Sequence, residues 1–367
     1  MFTEKKLIVA AVALAASSLS FAQSAVPSNG EGGTQVNLYG VVDANVQVLN
    51  GKSTLTRVQS GGLQSSRIGL RGREDLGGGL SAFFVLESGI NLDDGSYGQN
   101  AFWGRQALVG LASPYGTVSL GRQYGSLYDL SNEFSIFSNI GYGASTGVIG
   151  GFGGYEPVRG SDASGTGNGG PSRLNNSVKY ETPSINGFKA GALVGLGEVA
   201  GGTNETRVLD LYGRYTKDNI DGMVSYVSDK RADLGLDRQT TSAAAAYRIN
   251  DTYRVTGGVI SVDDRSINNI DGIGYWIGGD YRVGPHTFKT QYVESKLRHG
   301  DEGKTQAYGI GYQYDLSKRT ALYSSLTYFK NSGDNYTPRT AGILPTGVAT
   351  IGDGNVTELV TGIRHSF

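Results

Sequence analysis

From Val36 to Val48 apolar and polar residues take turns. The even positions are Val36, Leu38, Gly40, Val42, Ala44, Val46 and Val48, and the odd ones include Asn37, Tyr39, Asp43, Asn45 and Gln47. A period of two puts these sets on opposite faces of a strand. The run is longer than most strands of soluble domains and matches the ~9–11 residues with which a tilted strand crosses a bilayer. The alternation recurs at Ile68 and Leu70 against Arg67, Gly69, Arg71 and Arg73, and at Phe188, Ala190, Ala192, Val194 and Leu196. It returns at Tyr308, Ile310, Tyr312 and Tyr314, and at Leu359, Thr361, Ile363, His365 and Phe367. The apolar sets are mostly Val, Ala, Leu and Gly, with Tyr and Phe toward strand ends, as in a lipid-facing band edged by aromatic residues.

The connections between strands alternate as well. Short ones fall at 75–79, 113–116 and 315–320; longer, Gly/Asn/Asp-rich ones cover 89–100, 228–239, 262–271, 296–304 and 331–355. Short turns at one end and long loops at the other are the asymmetry of an outer-membrane barrel. The sequence shows no helical periodicity of useful length and no interdomain linker, so one barrel domain is expected over 35–367, behind a flexible polar extension at 23–34. Residues 124–172 break the pattern, with Phe134, Phe137, Tyr142, Phe152 and Tyr155 among many glycines and serines. A connection this long is expected to be functional, and its aromatics imply that part of it packs against the barrel.

The first 22 residues turn a β protein into an exported one. Lys5 and Lys6 precede the apolar run 7–16, and Ser20-Phe21-Ala22 offers small residues for cleavage before Gln23. Together these read as a secretory signal peptide over 1–22. The apolar run is about half the ~20 residues a transmembrane helix needs, and no second such run follows. A closed barrel is then the way for the mature chain to satisfy its backbone in lipid. Composition points the same way: 38% hydrophobic, 58 glycines, and 22 tyrosines against 2 tryptophans among 367 residues. That is too little apolar material for a thick-cored soluble enzyme. The absence of Cys removes disulfides. A formal net charge of -1, with no basic run interleaved with aromatics, gives no reason to expect a nucleic-acid partner.

Segments in order along the chain resemble the Gram-negative general porins of the neisserial and Burkholderia-type group. Gln35-Val36-Asn37-Leu38-Tyr39-Gly40-Val41-Val42-Asp43 is similar to their first strand, and Ser66-Arg67-Ile68-Gly69-Leu70-Arg71-Gly72 with Glu74 to Leu80 to their second strand and turn. Gly104-Arg105-Gln106-Ala107 and Gly116 to Gln123 resemble the fourth and fifth strands; 315–320 and His365-Ser366-Phe367 complete the series. The resemblance implies a transmembrane antiparallel β-barrel of about 16 strands, a homotrimer, and a third external loop, here 124–172, folded into the lumen as a constriction. It also implies a ladder of basic wall residues facing acidic groups of that loop.

The wall residues that match are Arg67, Arg105 and Arg173, with Asp129 and Glu133 as the loop acids. Alternation agrees, since Arg67 opposes Ile68, Arg105 is in step with Ala107, and Arg173 is in step with Lys179. Arg71 and Lys179 are expected as further lumen charges. Arg122 has the opposite parity, in step with Val118 and Leu120. An unpaired Arg facing lipid costs ~2–4 kcal/mol at the midplane, so Arg122 is expected in the subunit interface, against Asp93 or Asp94 of a neighbour's second loop. The resemblance makes Phe367 a signal read by the barrel-assembly machinery.

The expected function is a water-filled outer-membrane channel for passive diffusion of small hydrophilic solutes and ions, with a weak anion preference, surrounded by outer-membrane lipids. The alternatives are a substrate-specific channel or a barrel adhesin. Catalysis is not expected. His286, His299 and His365 stand in no recognisable nucleophile constellation, and no metal-ligand spacing or phosphate-binding glycine motif calls for a cofactor.

Overall fold

The alternation of the sequence becomes the two faces of a closed wall. The computed structural model describes residues 35–99, 101–137, 172–197, 206–231, 237–265, 271–297, 303–333 and 354–367. The expected signal peptide, the 23–34 extension and most of the third loop lie outside the described residues. In β1 (Gln35–Asn50) the odd residues from Val41 to Leu49 are buried, while Val36, Leu38 and Val46 are exposed. Asp43, Asn45 and Gln47 therefore point inward, and the Val/Leu face points outward from the barrel.

Consecutive strands pair antiparallel. After β1 come β2 (Thr54–Ser60), β3 (Arg67–Gly77), β4 (Leu80–Ile90), the two-residue β5 (Tyr97–Gly98), β6 (Gln106–Ser113) and β7 (Gly116–Tyr124). Past the third loop follow β8 (Arg173–Glu181), β9 (Phe188–Gly195), β10 (Thr206–Lys217), β11 (Ile220–Arg231), β12 (Arg238–Arg248) and β13 (Tyr253–Asp264). The chain ends through β14 (Gly272–Val283), β15 (His286–Leu297), β16 (Lys304–Asp315), β17 (Thr320–Ser332) and β18 (Val356–Ser366). β2 and β3 share the same side of β1, one along each half, and form a single interrupted barrel strand. β5 is a loop bridge onto β4. The result is a closed antiparallel barrel of 16 strands, sealed where β18 pairs with β1 from Val41↔Ser366 to Asn50↔Thr357. Phe367 extends the seam by exchanging two backbone hydrogen bonds of 3.1 Å with Gly40.

The interruption between β2 and β3 has a specific cause. Asp43 of β1 turns its carboxylate inward and accepts the N–H groups of Gly62 (3.0 Å), Leu63 (2.9 Å) and Gln64 (2.7 Å), together with the Tyr323 hydroxyl (2.5 Å). Successive backbone donors converging on one anion form a nest, and Gly61, at φ 76°, supplies the left-handed residue at its entrance.

One expectation is corrected. The sequence shows no helical periodicity of useful length, but α1 (Ser126–Phe134) follows directly on β7. It is one short stretch in which Leu127, Leu130 and Phe134 share the buried face. Nine residues flanked by glycine-rich chain give too few turns for a 3.6-residue period to stand out.

Candidate pore constriction

Helix α1 lies inside the barrel, pinned at both ends to the wall. At its start the Ser126 N–H donates to Asp210 Oδ2 on β10 (2.7 Å). A carboxylate there satisfies an orphan amide and complements the positive end of the helix dipole. At its end the Phe134 carbonyl accepts from Thr256 Oγ1 (2.6 Å) and from Trp276 Nε1 (2.8 Å). Gln291 Oε1 then takes the Ile136 N–H at 2.7 Å. Anchors on β10, β13, β14 and β15 fix the helix along one side of the lumen.

The other side carries arginines. Arg67 is opposite Val41 in register, on the inward face, and its guanidinium is 3.6 Å from Glu87 of β4. Arg105 is 1% exposed; its Nε donates to Glu87 Oε1 at 2.7 Å and its Nη2 to the Tyr128 hydroxyl at 3.1 Å. Tyr124 and Tyr128 stack at 3.7 Å between centroids, and the Arg173 guanidinium sits over both rings at 5.0 and 5.1 Å. Glu87 further accepts the hydroxyls of Tyr39 (2.9 Å) and Tyr124 (2.7 Å). The three arginines thus gather around one carboxylate and a tyrosine pair. Arg71 shares their inward face, opposite Asn37, with its guanidinium over the Tyr39 ring.

Strand alternation does not account for two of these arginines, Arg105 and Arg173, even though they converge with Arg67. Ala107, with Val109 and Leu111, lies on the outward face opposite Leu86, so being in step with Ala107 would have sent Arg105 outward. Arg105 precedes β6 and is not bound by strand parity; its N–H donates to the Glu87 carbonyl, which turns it inward. Counting by twos from Lys179 to Arg173 crosses a bulge, where Gly121 pairs with Ser177 but Gln123 pairs with Leu174. One extra residue in β8 inverts the parity.

The loop acids do not confront these arginines. Asp129 and Glu133 are four residues apart on one helix face, and that face turns toward the opposite wall. Glu133 is ion-paired with Arg214 of β10, which also reaches Asp221 at 2.5 Å. Burial pushes the Glu133 carboxyl up to about 7, against the pull of Arg214. Asp129 lines a cavity of about 220 Å³ with Glu181, Lys189, Tyr212 and Arg214. Lys179 is inward on β8 beside Glu181 at 3.7 Å, and Lys189 is 2.8 Å from the same carboxylate.

Glu87, Tyr124, Tyr128 and Arg214 are site residues that the sequence pattern does not single out. A signal exists for Glu87: it is the one charged residue of β4, on the inward parity of Ser81 and Val85. Elsewhere, Asp93 and Asp94 are in the connection after β4, where Asp94 Oδ1 accepts from the Ser96 N–H and hydroxyl, holding its carboxyl below the usual range. Arg122 points outward, opposite Ala107, and is held within its own chain by the Gly104 carbonyl at 2.8 Å and by Asn175.

The comparisons with known proteins match this architecture. A family model described as Gram-negative porin matches residues 9–334. The chain is 32% identical over 384 aligned positions to outer membrane porin protein 32 of Delftia acidovorans, covering 99% of this chain and all of that protein. It is 28% identical to an outer membrane porin protein of Bordetella pertussis, again over 99% of this chain and all of the relative. Among solved structures, the anion-selective porin from Comamonas acidovorans superposes with a TM-score of 0.78 at 28% identity, over 91% of this chain and all of that one.

Proposed function

Because the chain belongs to the Gram-negative porin family and forms a channel through the outer membrane, we propose that this channel passes small hydrophilic anions in preference to cations. Transport is passive diffusion, without a catalytic step, after export directed by residues 1–22. The observation that carries the proposal is the gathering of Arg67, Arg105 and Arg173 on one side of the lumen around a single carboxylate, Glu87. A low-dielectric wall focuses the field of such a cluster into the water beside it. The anion-selective porin from Comamonas acidovorans, which this chain resembles, supports the same reading. Reversal potentials across planar bilayers in a KCl gradient test it. The wild type should favour chloride, and Arg67→Gln with Arg173→Gln should bring the potential close to zero. A cation-selective wild type would overturn the proposal.

A second observation favours a homotrimer. The outward positions of β13 to β17 carry two tyrosine-rich rows, Tyr253–Tyr281–Phe288–Tyr312 toward the turns and Tyr292–Tyr308–Tyr328 toward the loops, each in register across neighbouring strands. The outward positions of β18, β1, β3, β4, β6 and β7 carry no tyrosine; Val36, Leu38, Ile68, Leu70, Val109, Leu111, Val118, Leu120, Leu359 and Ile363 make that face. A face without interfacial tyrosine or tryptophan suits protein rather than lipid. Arg122 is on this face, and Asp93 or Asp94 of an adjacent subunit would add to its contacts with Gly104 and Asn175. Phe367, on the same seam, would present its ring to the barrel-assembly machinery.

A further inference from the structure

The loop end of the outer surface carries a cationic row in a protein whose net charge is near zero. Across β15, β16 and β17 three successive outward rows are in register. The first is Tyr292–Tyr308–Tyr328, the second Glu294–Gln306–Lys330, and the third Lys296–Lys304–Ser332. The middle row is a closed network. The Glu294 carboxylate accepts from the Tyr292 hydroxyl at 2.6 Å and from Gln306 Nε2 at 2.8 Å, and Lys304 Nζ lies 2.9 Å away. Gln306 Nε2 also donates to the Tyr292 hydroxyl at 2.8 Å. The single carboxylate is therefore fully engaged. Lys296 and Lys330 are exposed and make no ion pair among the described residues.

Lys296 stands directly opposite Lys304, a like-charge cross-strand pair that costs stability unless an anion sits between the two. The arrangement is repeated at the same end of the barrel, where Arg207 of β10 is directly opposite Lys230 of β11, both exposed on the outward face. Long connections mark this end as the extracellular one. A row of tyrosines marks the interface level of the membrane, and the lysines lie one and two steps beyond it, at headgroup height. Cations near an anionic headgroup surface contribute to binding.

We propose that Lys296, Lys304 and Lys330 form a docking site for the phosphate groups of a phosphorylated outer-leaflet lipid, with Tyr292, Tyr308 and Tyr328 against its acyl portion and Glu294 positioning Lys304. The occupant is a lipid rather than free phosphate, because the cations and the tyrosines are stacked on one lipid-facing surface.

The test uses the full-length porin purified in detergent and titrated with bis-phosphorylated lipid A, its dephosphorylated form, or inorganic phosphate, with binding read by the shift of the thermal unfolding midpoint. Lipid A should raise the midpoint, and the other two should not. Lys296→Gln and Lys330→Gln should each weaken lipid A roughly fivefold, and about twenty-five-fold together, at the strength expected per lysine near a headgroup surface. Lys217→Gln, at the turn end of β10, should leave it unchanged. Without lipid, Lys296→Gln should hold or raise the midpoint, because it relieves the Lys296/Lys304 repulsion. Equal binding by wild type and the double variant, or equal effects of the two lipids, would overturn the proposal. So would loss of stability in lipid-free Lys296→Gln, which would show that the protein itself already satisfies the lysine. A midpoint raised by inorganic phosphate alone would mark an anion site with no lipid specificity, and would overturn it too.

Discussion

The two sides of the lumen use similar residues differently. On the side of β3 and β4, Arg67, Arg105 and Arg173 share one carboxylate, Glu87, and fill the remaining space with Tyr39, Tyr124 and Tyr128. On the side of α1 and β8 to β11, Lys179, Lys189 and Arg214 meet Glu133, Glu181 and Asp221, with Asp129 and Asp210 close to Lys179. Three cations against one carboxylate leave the first side positive. Three cations against five carboxyl groups leave the second side negative or, where carboxyls hold a proton, closer to neutral. Helix α1 runs between them, handing Tyr128 to the arginines and Asp129 and Glu133 to the other wall. A near-neutral chain can therefore hold a strong field across its pore, because selectivity depends on which charges are near the permeating ion and not on the total.

The contrast is tested most strongly at Arg105. Its buried guanidinium lies 2.7 Å from the buried Glu87 carboxylate, so Arg105→Ala should cost about 3–5 kcal/mol by taking away that carboxylate's nearest cation. Arg173 lies over two tyrosine rings, and Arg173→Ala should cost only about 0.5–2 kcal/mol. Urea unfolding of both variants, followed by heat-modifiable migration on gels, measures the gap. Equal losses would mean that the two arginines do the same structural job and that the positive side has no rigid centre.

How much of this was legible in the sequence divides along the same line. The barrel was legible because period two is repeated strand after strand, and a lipid-facing band leaves few other interpretations. Arg67 was legible because it opens a strand that runs in regular register from it to Arg73, where parity assigns the face. Arg105 and Arg173 converge with it for reasons parity does not contain: Arg105 precedes its strand, and Arg173 opens β8 beyond a bulge and lies over Tyr124 and Tyr128. The direction of the loop acids was hidden for another reason. Whether Glu133 meets Arg67 or Arg214 depends on the turn of a nine-residue helix whose anchors, Asp210, Thr256, Trp276 and Gln291, come from strands far along the chain. No local pattern in residues 124–137 encodes those partners.

Those anchors give the next prediction. Trp276→Phe keeps most of the buried ring but deletes the indole N–H that meets the Phe134 carbonyl, at a cost of about 0.5–1.5 kcal/mol. Thr256 still holds the same carbonyl, so the helix should loosen without leaving the lumen. Single-channel recordings should show larger current fluctuations around a slightly higher mean conductance. Recordings as quiet as the wild type would mean that packing of Phe134 and Leu130 holds the helix without the hydrogen bond.

The smallest effect concerns the charge of the α1 side. Glu133 is buried in a helix of the loop, and burial raises its carboxyl to about 7 although Arg214 draws it down. A raised carboxyl is protonated as pH falls through that value and charged above it. Lowering the pH from about 8 to about 6 should therefore remove negative charge from one side of the pore while the arginines opposite keep theirs. The anion preference should rise modestly over that interval. Thr256, Trp276 and Gln291 keep their hydrogen bonds to the end of α1, so the helix is not released when Glu133 takes up its proton. Glu133→Gln should show the higher preference at both pH values and lose the pH step between them. Reversal potentials measured at about pH 6 and about pH 8 in the same KCl gradient decide the matter. If the step survives in Glu133→Gln, another lumen group titrates there, and the negative side of the field does not depend on this helix.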